Sequence, residues 1–206
     1  MTKKTEINFG IDSKLEIRDA NKKAGFIGQI AGYAIVFNKP SVPNAPFIEY
    51  ISSSALNNVD LSDVLALYNH DYANVLGRVD AGTLKLSIDN VGLHFVLDMP
   101  DTTVGHDVYN NIKAGNLKGM SFGFVVADGG DSWRQGASKP IRTINQLQTL
   151  GEISVVSKPA YDDTSINVTR SIKQFEDERT RKYKEKVRAL SLIHISEPTR
   201  LGMISY

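Results

Sequence analysis

The hydroxyl of Ser121 is the side chain in this sequence that best suits covalent chemistry. It lies in the segment KGMSFGF (118–124), between two glycines and among apolar residues typical of a β-strand. Glycine packs poorly inside a strand, so Gly119 and Gly123 indicate that another group approaches this backbone closely. With the period of a strand, the apolar residues pack on one side, and Ser121 and Gly123 share the other, open side. Two interpretations follow: a nucleophile, or a serine on the polar face of a half-buried strand.

His70 is the best general base that the sequence offers to such a nucleophile. A serine becomes reactive only when a base takes its proton and a third group orients that base. Histidine, with an unperturbed pKa of ~6.5, suits this work, and His70 lies at the end of the apolar stretch 63–71. His94, inside the segment LHFV, and His106, near the start of a predicted helix, fit structural or solvated histidines better.

Glu152 is the candidate for the third group, because it opens the apolar strand 152–156. A buried carboxylate at that position must be paired or hydrogen-bonded. The structural alternative is an ion pair with Arg142 or Lys158 at the end of a strand. Two other carboxylates stay open for the orienting role: Asp71 and Asp98.

The composition fits one globular domain with a tail. The chain has 206 residues, of which 41% are hydrophobic and 23% charged, and a net charge of +1 gives no reason to expect nucleic acid as a partner. The absence of cysteine excludes disulfides and thiol catalysis, and with only four histidines we expect neither a metal nor a cofactor. No apolar run approaches the ~20 residues of a membrane span, and the N-terminus lacks the hydrophobic core of a signal peptide. We expect no membrane association and a protein that stays in the cell that made it.

Strands dominate the predicted elements. One helix is predicted over about 103–114, where Val104, Val108 and Ile112 recur with helical spacing. The stretch 100–103, which includes Thr102, offers caps for its start, and Gly115 provides a stop. The stretch 128–139 is predicted to be a polar loop. The strand-rich pattern with one internal helix predicts a mainly β fold with helices (α+β), an antiparallel β-barrel. The predicted strands are 26–37, 47–51, 63–71, 75–79, 83–88, 93–97, the Ser121 segment, 141–147 and 152–157.

Four segments describe the predicted domain organisation. Residues 1–25 are a polar N-terminal segment, and 26–170 form the β-barrel domain. Residues 171–189 form a charged helical tail with few apolar residues. Residues 190–206 continue neither pattern and resemble translated read-through, so we expect them to be non-native and leave His194 and Ser196 out of the site.

Several of these motifs together resemble the tailed-phage prohead proteases, the capsid maturation proteases whose fold is similar to that of the herpesvirus assemblins. The resemblance runs from about residue 28 to residue 168, and the order and spacing of the motifs make it specific. The motifs are GYAIVF (32–37), NHD (69–71) followed by LGR (76–78), the helix into Gly115, MSFGF (120–124), and EISVV (152–156) with PAY (159–161).

This resemblance implies a serine endopeptidase with an internal helix before the nucleophile strand. Ser121 would be the nucleophile, His70 the general base and then acid, and Glu152 the third member. The implied substrates are the scaffold protein or the N-terminal segment of the major capsid protein, and finally the enzyme itself, with self-association left open. The implied location is the host cytoplasm, inside the assembling procapsid.

Two other classes of function remain as alternatives. One is a catalytically silent, capsid-associated structural or scaffold β-barrel, in which the fold persists without activity. The other is a hydrolase that acts on a small ester or amide. The second is disfavoured because the serine lies in a strand that follows a helix, whereas the Gly-x-Ser-x-Gly elbow of such enzymes lies between a strand and a helix.

Overall fold

The computed structural model of the chain describes residues 7–11, 15–18, 25–41 and 46–157, together with 180, 181, 184 and 185. Up to residue 157, the described residues form twelve β-strands and one α-helix. In chain order they are β1 (Ile7–Ile11), β2 (Glu16–Arg18), β3 (Phe26–Val36), β4 (Ile48–Ile51), β5 (Leu65–Tyr68), β6 (Asp71–Arg78), β7 (Leu84–Ile88), β8 (Gly92–Pro100), α1 (Thr103–Lys113), β9 (Gly119–Val126), β10 (Asp131–Gln135), β11 (Pro140–Ile144) and β12 (Leu147–Val156).

The strands are arranged in three sheets. The first has the spatial order β1-β9-β12-β5-β6, the second has the order β2-β3-β8-β7, and the third has the order β10-β11-β4. Strand β9, which carries Ser121, therefore lies between β1 and β12. The mainly β prediction with an internal helix before this strand is confirmed.

The predicted closed, purely antiparallel barrel is not found. Across the described ranges, none of the three sheets closes on itself, and two strand pairs, β12 with β5 and β11 with β4, are parallel. Parallel neighbours need a long crossover connection, and here several strands intervene between β5 and β12. Local strand patterns do not reveal such non-local pairings, and this is why the sequence suggested a simpler topology.

Helix α1 has the ends that the sequence predicts. The Oγ1 of Thr102 caps the first turn by accepting a hydrogen bond from the backbone N–H of Gly105 at 3.1 Å. Gly115 follows the last turn with a φ of 74°, in the left-handed region that favours glycine. The helix buries Val108, Tyr109 and Ile112, which contribute to the hydrophobic core.

The stretch 128–139, predicted to be a polar loop, contains strand β10. It pairs antiparallel with β11, and Trp133 lies opposite Arg142. The indole packs edge-on against Phe47 with ring centroids 5.0 Å apart, and the Arg142 guanidinium lies 5.6 Å from the indole centroid. A polar sequence forms a strand here because cross-strand contacts of this kind replace the apolar alternation that marks most strands.

Strand β9 is buried on both faces. Met120, Phe122 and Phe124 are at most 1% exposed, as the period-2 pattern predicts, and the two phenyl rings stack with centroids 5.3 Å apart. The other face was expected to be open, but Ser121 is fully buried and Gly123 is buried too. That expectation was wrong because side chains from β12 occupy this face, as described below.

The chain divides into two compact units, Met1–Val168 and Thr169–Tyr206. In the second unit, residues 180, 181, 184 and 185 are helical, and Arg181 pairs with Glu185 at 3.8 Å. The predicted boundaries of the segments 1–25, 26–170 and 171–189 stay predictions. The proposed non-native tail 190–206, with His194 and Ser196, lies outside the described residues. No helix among the described residues is long and apolar enough to span a membrane.

Candidate active site

His70 is carried by a two-residue hairpin between β5 and β6. Tyr68 pairs with Asp71, so Asn69 and His70 form the whole turn. Both have positive φ values, 58° and 60°, as a tight type I′ hairpin requires, and Asn and His tolerate this region better than most residues. The Asn69 N–H donates to the carbonyl of Val155 on β12 at 3.0 Å. The turn that holds the imidazole is thereby tied to the neighbouring strand.

The imidazole of His70 is hydrogen-bonded to Glu152. The two atoms, His70 Nδ1 and Glu152 Oε1, are 2.8 Å apart, and the side chains are 17% and 3% exposed. An ionised carboxylate can accept hydrogen bonds but cannot donate them. Nδ1 therefore carries the proton in this bond, and Nε2 of a neutral imidazole is left as the acceptor. This geometry places an orienting carboxylate on one nitrogen of the histidine and leaves the other nitrogen for chemistry.

Ser154 links the main chain of His70 to the carboxylate of Glu152. Its Oγ accepts a hydrogen bond from the backbone N–H of His70 at 3.2 Å and donates one to Glu152 Oε2. Ser154 is fully buried. Both oxygens of the Glu152 carboxylate are therefore hydrogen-bonded, one to His70 and one to Ser154.

Ser121 lies directly opposite Ser154 in the antiparallel pair of β9 and β12. Residues opposite each other in such a pair point to the same face, with Cβ atoms roughly 4.5–5.5 Å apart. The hydroxyl of Ser121 thus belongs to the same cluster as His70 and Glu152. On its other side, Ser121 pairs with Gly10 of β1.

Two buried polar atoms of this cluster have no hydrogen-bond partner among the described residues: Ser121 Oγ and His70 Nε2. They consequently do not bond to each other in this structure. Catalytic hydrogen bonds are often long in proteins without substrate and tighten in the complex. A donor and an acceptor that share one buried cluster are suited to pair with each other or with a bound peptide.

Gly123 makes the space that the Glu152 carboxylate occupies. The two residues are cross-strand partners, and a Cβ at position 123 would lie 2.6 Å from Glu152 Oε1. The sequence predicted that a group must approach this glycine closely, and that group is the carboxylate. A larger residue here would displace the oxygen that holds the imidazole.

The other acids considered for the orienting role bond elsewhere. Asp71 accepts from the N–H of Ala73 at 2.9 Å and from the side chain of Asn74 at 2.7 Å, both on its own strand. Asp98 accepts from the side chain of Gln29 at 2.6 Å, in the second sheet. Of the candidate carboxylates, Glu152 is the one bonded to His70.

Arg142, which was considered as an ion-pair partner of Glu152, pairs with other acids in the structure. Arg142 bonds to Glu49 at 3.0 Å and to Asp131 at 2.6 Å, and Lys158 lies outside the described residues.

The other two histidines considered as bases have partners of their own. His94 packs edge-on against Tyr33 with centroids 5.2 Å apart. His106 is half exposed and bonds to Asp101 at 2.8 Å. Within the described ranges, no group of three or more His, Cys, Asp and Glu side chains is placed to hold a metal ion.

Ser154 was not predicted from the sequence as a residue of this site. Its signal was available, because Ser154 lies two residues after Glu152 and strand periodicity places both on one face. What the sequence does not encode locally is that the tip of the β5–β6 hairpin meets this face.

Comparison with known proteins identifies the family. A serine and a carboxylate on adjacent strands, with a histidine in a neighbouring turn, are the side chains that serine hydrolases use. The chain belongs to the Caudovirus prohead serine protease family, whose model matches residues 13–178. The resemblance inferred from the sequence is thereby confirmed, and the chain is a member of a family of phage capsid maturation proteases.

Two individual proteins are similar to this chain. The chain is 26% identical to the prohead protease of Escherichia phage T5 over 163 residues, which cover 79% of this chain and 72% of that protein. The structure of the bacteriophage T4 capsid assembly protease is similar with a TM-score of 0.51 and 14% identity, over 77% of this chain and 100% of that one. At this identity the second similarity concerns the fold alone.

Proposed function

We propose that this protein is a serine endopeptidase in which Ser121 is the nucleophile, His70 the general base and Glu152 the group that orients the base. The observation that carries the proposal is the 2.8 Å hydrogen bond between His70 Nδ1 and Glu152 Oε1, which leaves Nε2 free of any described partner in a cluster with Ser121. The family assignment supports the reaction class.

The proposed reaction follows from these positions. His70 Nε2 takes the proton of Ser121 as Oγ attacks the carbonyl carbon of the scissile peptide bond. The imidazolium, stabilised by Glu152, then gives that proton to the leaving amine, and a water molecule hydrolyses the acyl-serine by the reverse sequence. Glu152 holds the ring in the tautomer that this reaction needs.

The proposed substrates are polypeptides of the assembling capsid. We infer that the enzyme cleaves the scaffold protein or the N-terminal segment of the major capsid protein, and then itself, inside the procapsid in the host cytoplasm. The family of prohead proteases supports this location, and the T4 protein is described as a capsid assembly protease. The finer fold assignment, to the assemblin-like type, rests on the sequence resemblance and is proposed on that basis.

Co-expression with the capsid and scaffold proteins of the same phage tests the proposal. Shortened capsid or scaffold products are expected with the wild-type chain and are expected to disappear with Ser121→Ala and with His70→Ala. Ser87→Ala, which alters an exposed serine on β7, is the matched control and should process normally. Products that persist with Ser121→Ala would contradict the proposal. Products absent from every culture, wild type included, would favour the catalytically silent structural protein.

A further inference from the structure

We propose that Ser154 is a positioning residue of the active site, which fixes the distance between the histidine-bearing turn and the carboxylate that orients the imidazole. This inference rests on the proposed function of Ser121, His70 and Glu152. The observation behind it is a pair of hydrogen bonds made by the buried Ser154 hydroxyl. It accepts one from the His70 N–H at 3.2 Å and donates the other to Glu152 Oε2.

The hydroxyl is suited to this task because it bonds in both directions at once. Serine has one O–H to donate and lone pairs to accept, and here the donor goes to the carboxylate while a lone pair takes the backbone N–H. The donation leaves Oε1 as the oxygen that accepts from the imidazole. These hydrogen bonds thereby close a ring. It runs from the His70 backbone through the Ser154 hydroxyl and the Glu152 carboxylate back to the His70 imidazole.

The turn at His70 needs such an attachment. Asn69 and His70 are both in the left-handed region, which is less favourable for them than for glycine, so contacts with the surroundings stabilise the turn. The carbonyl of Val155 holds Asn69, and the hydroxyl of Ser154 holds His70. If the second attachment is lost, the turn and the carboxylate can shift relative to each other, and the imidazole loses its alignment with Ser121.

Ser154 also contributes by stabilising the negative charge of the Glu152 carboxylate. When the imidazole takes the proton of Ser121, the resulting cation is balanced by Glu152, which is only 3% exposed. Hydrogen bonds to a buried carboxylate stabilise its negative charge, and the Ser154 hydroxyl supplies one of them. The Ser154 hydroxyl bonds to the backbone of His70 and to the Glu152 carboxylate, so we infer that it acts through these two residues.

A fluorophosphonate probe measures the effect without knowledge of the natural substrate. In this reaction Ser121 Oγ forms a bond to phosphorus, the P–F bond breaks, fluoride leaves, and the proton of the hydroxyl passes to His70 Nε2. Saturation kinetics on the full chain give a maximal labelling rate, kinact, and an apparent binding constant, KI. A positioning residue changes kinact, because a misplacement of about 1 Å costs on the order of 100-fold in rate.

The test compares four variants with wild type. We expect Ser154→Ala to lower kinact by roughly 10- to 100-fold with KI unchanged, and Ser154→Thr, which keeps the hydroxyl, to retain most of the rate. Ser41→Ala is the matched control, because the Ser41 hydroxyl also accepts a backbone N–H, from Glu49 at 3.0 Å, on another sheet. Its kinact should equal that of wild type. Ser121→Ala should not be labelled.

The outcomes separate the inference from the proposed function. If wild type is not labelled, or Ser121→Ala is labelled as fast as wild type, the proposed function fails. If Ser121→Ala is not labelled but Ser154→Ala keeps the wild-type kinact, the inference about Ser154 alone is overturned. The same holds if the kinact of a folded Ser154→Thr falls as far as that of Ser154→Ala. If thermal unfolding shows that Ser154→Ala does not fold, Ser154→Cys, which keeps the volume with a weak donor, replaces it. The same fall is expected, and an undiminished kinact would overturn the inference.

Discussion

The carboxylate of Glu152 occupies the space that a side chain at position 123 would fill. The two residues pair across β9 and β12, and a Cβ on Gly123 would lie 2.6 Å from Oε1 and 3.3 Å from the carboxyl carbon. Oε1 is the atom that bonds to His70. A glycine on the nucleophile strand therefore sets the position of the residue that orients the base.

Gly123→Ala is expected to reduce activity far more than stability. The atom that must move is the end of a flexible side chain, so the fold adjusts by rotating Glu152, whereas the bond to His70 is lost or lengthened. We expect a fall on the order of 100-fold in the processing rate, with a small change in Tm. Processing assays and thermal unfolding of the same preparation measure both quantities.

The double variant Gly123→Ala with Glu152→Asp is the control for this explanation. The shorter carboxylate leaves room for the added methyl group, so the double variant should be no worse than Glu152→Asp alone. Wild-type processing by Gly123→Ala would show that the carboxylate position is not critical.

Glu152→Gln is expected to give a partial loss of activity. The neutral amide can still accept a hydrogen bond, but it neither enforces the tautomer nor balances the imidazolium. We expect kcat to fall by roughly 10- to 10⁴-fold, while Asp71→Asn, at the acid that bonds within its own strand, stays near wild type. Unchanged turnover in Glu152→Gln would reassign the orienting role to Asp71, Asp98 or another group.

Thr102→Ala is expected to lower the free energy of unfolding by about 1 kcal/mol without a change in activity. The threonine Oγ1 caps the N-terminus of α1 by accepting from Gly105 N, and loss of such a cap typically costs about that much. Urea unfolding measures the effect. Thr103→Ala, at the exposed first helical residue, is the control and should change stability little. Equal stabilities of the two variants would argue against the cap.

Glu49 is expected to make stability fall as the pH rises. Burial raises the pKa of this carboxyl from its usual value of 4.5 to about 8, although the nearby Arg142 guanidinium lowers it in part. Between these values the folded protein keeps a proton that the unfolded chain has lost. The associated stability is complete below pH 4.5 and is lost as the pH rises to about 8.

Glu49→Gln replaces the titrating carboxyl with a neutral amide and so removes its contribution to the pH dependence of stability. The difference in unfolding free energy between Glu49→Gln and wild type should increase from pH 5 to pH 8, with a slope of at most about 1.4 kcal/mol per pH unit. Denaturant unfolding at a series of pH values measures this difference. A difference that stays constant across the range would show that Glu49 is ionised in the folded protein.

Local patterns in the sequence predicted the elements well where one residue type has one physical role. Thr102 and Gly115 mark the ends of α1 because a hydroxyl and a positive φ are needed there. The alternation in β9 predicted the packed face. Strand β10 was missed because its side chains are polar and its stability comes from β11 and Phe47.

The site depended on information that local patterns do not carry. The sequence named Ser121, His70 and Glu152 as residue types with suitable chemistry, but the contact of His70 with Glu152 arises from the parallel pairing of β5 with β12. A sequence does not display that register. For the same reason, the role of Gly123 was anticipated only as room for an unnamed group, and Ser154 was not singled out.

The assignment of Ser121 as the nucleophile can be tested by mapping the residue that a fluorophosphonate modifies. Peptide mass spectrometry of the labelled full-length chain should place the phosphonyl group on Ser121, and labelling should fall to background in His70→Ala. An adduct on a different residue would show that Ser121 is not the nucleophile, and equally fast labelling of Ser121 in His70→Ala would show that His70 is not its base.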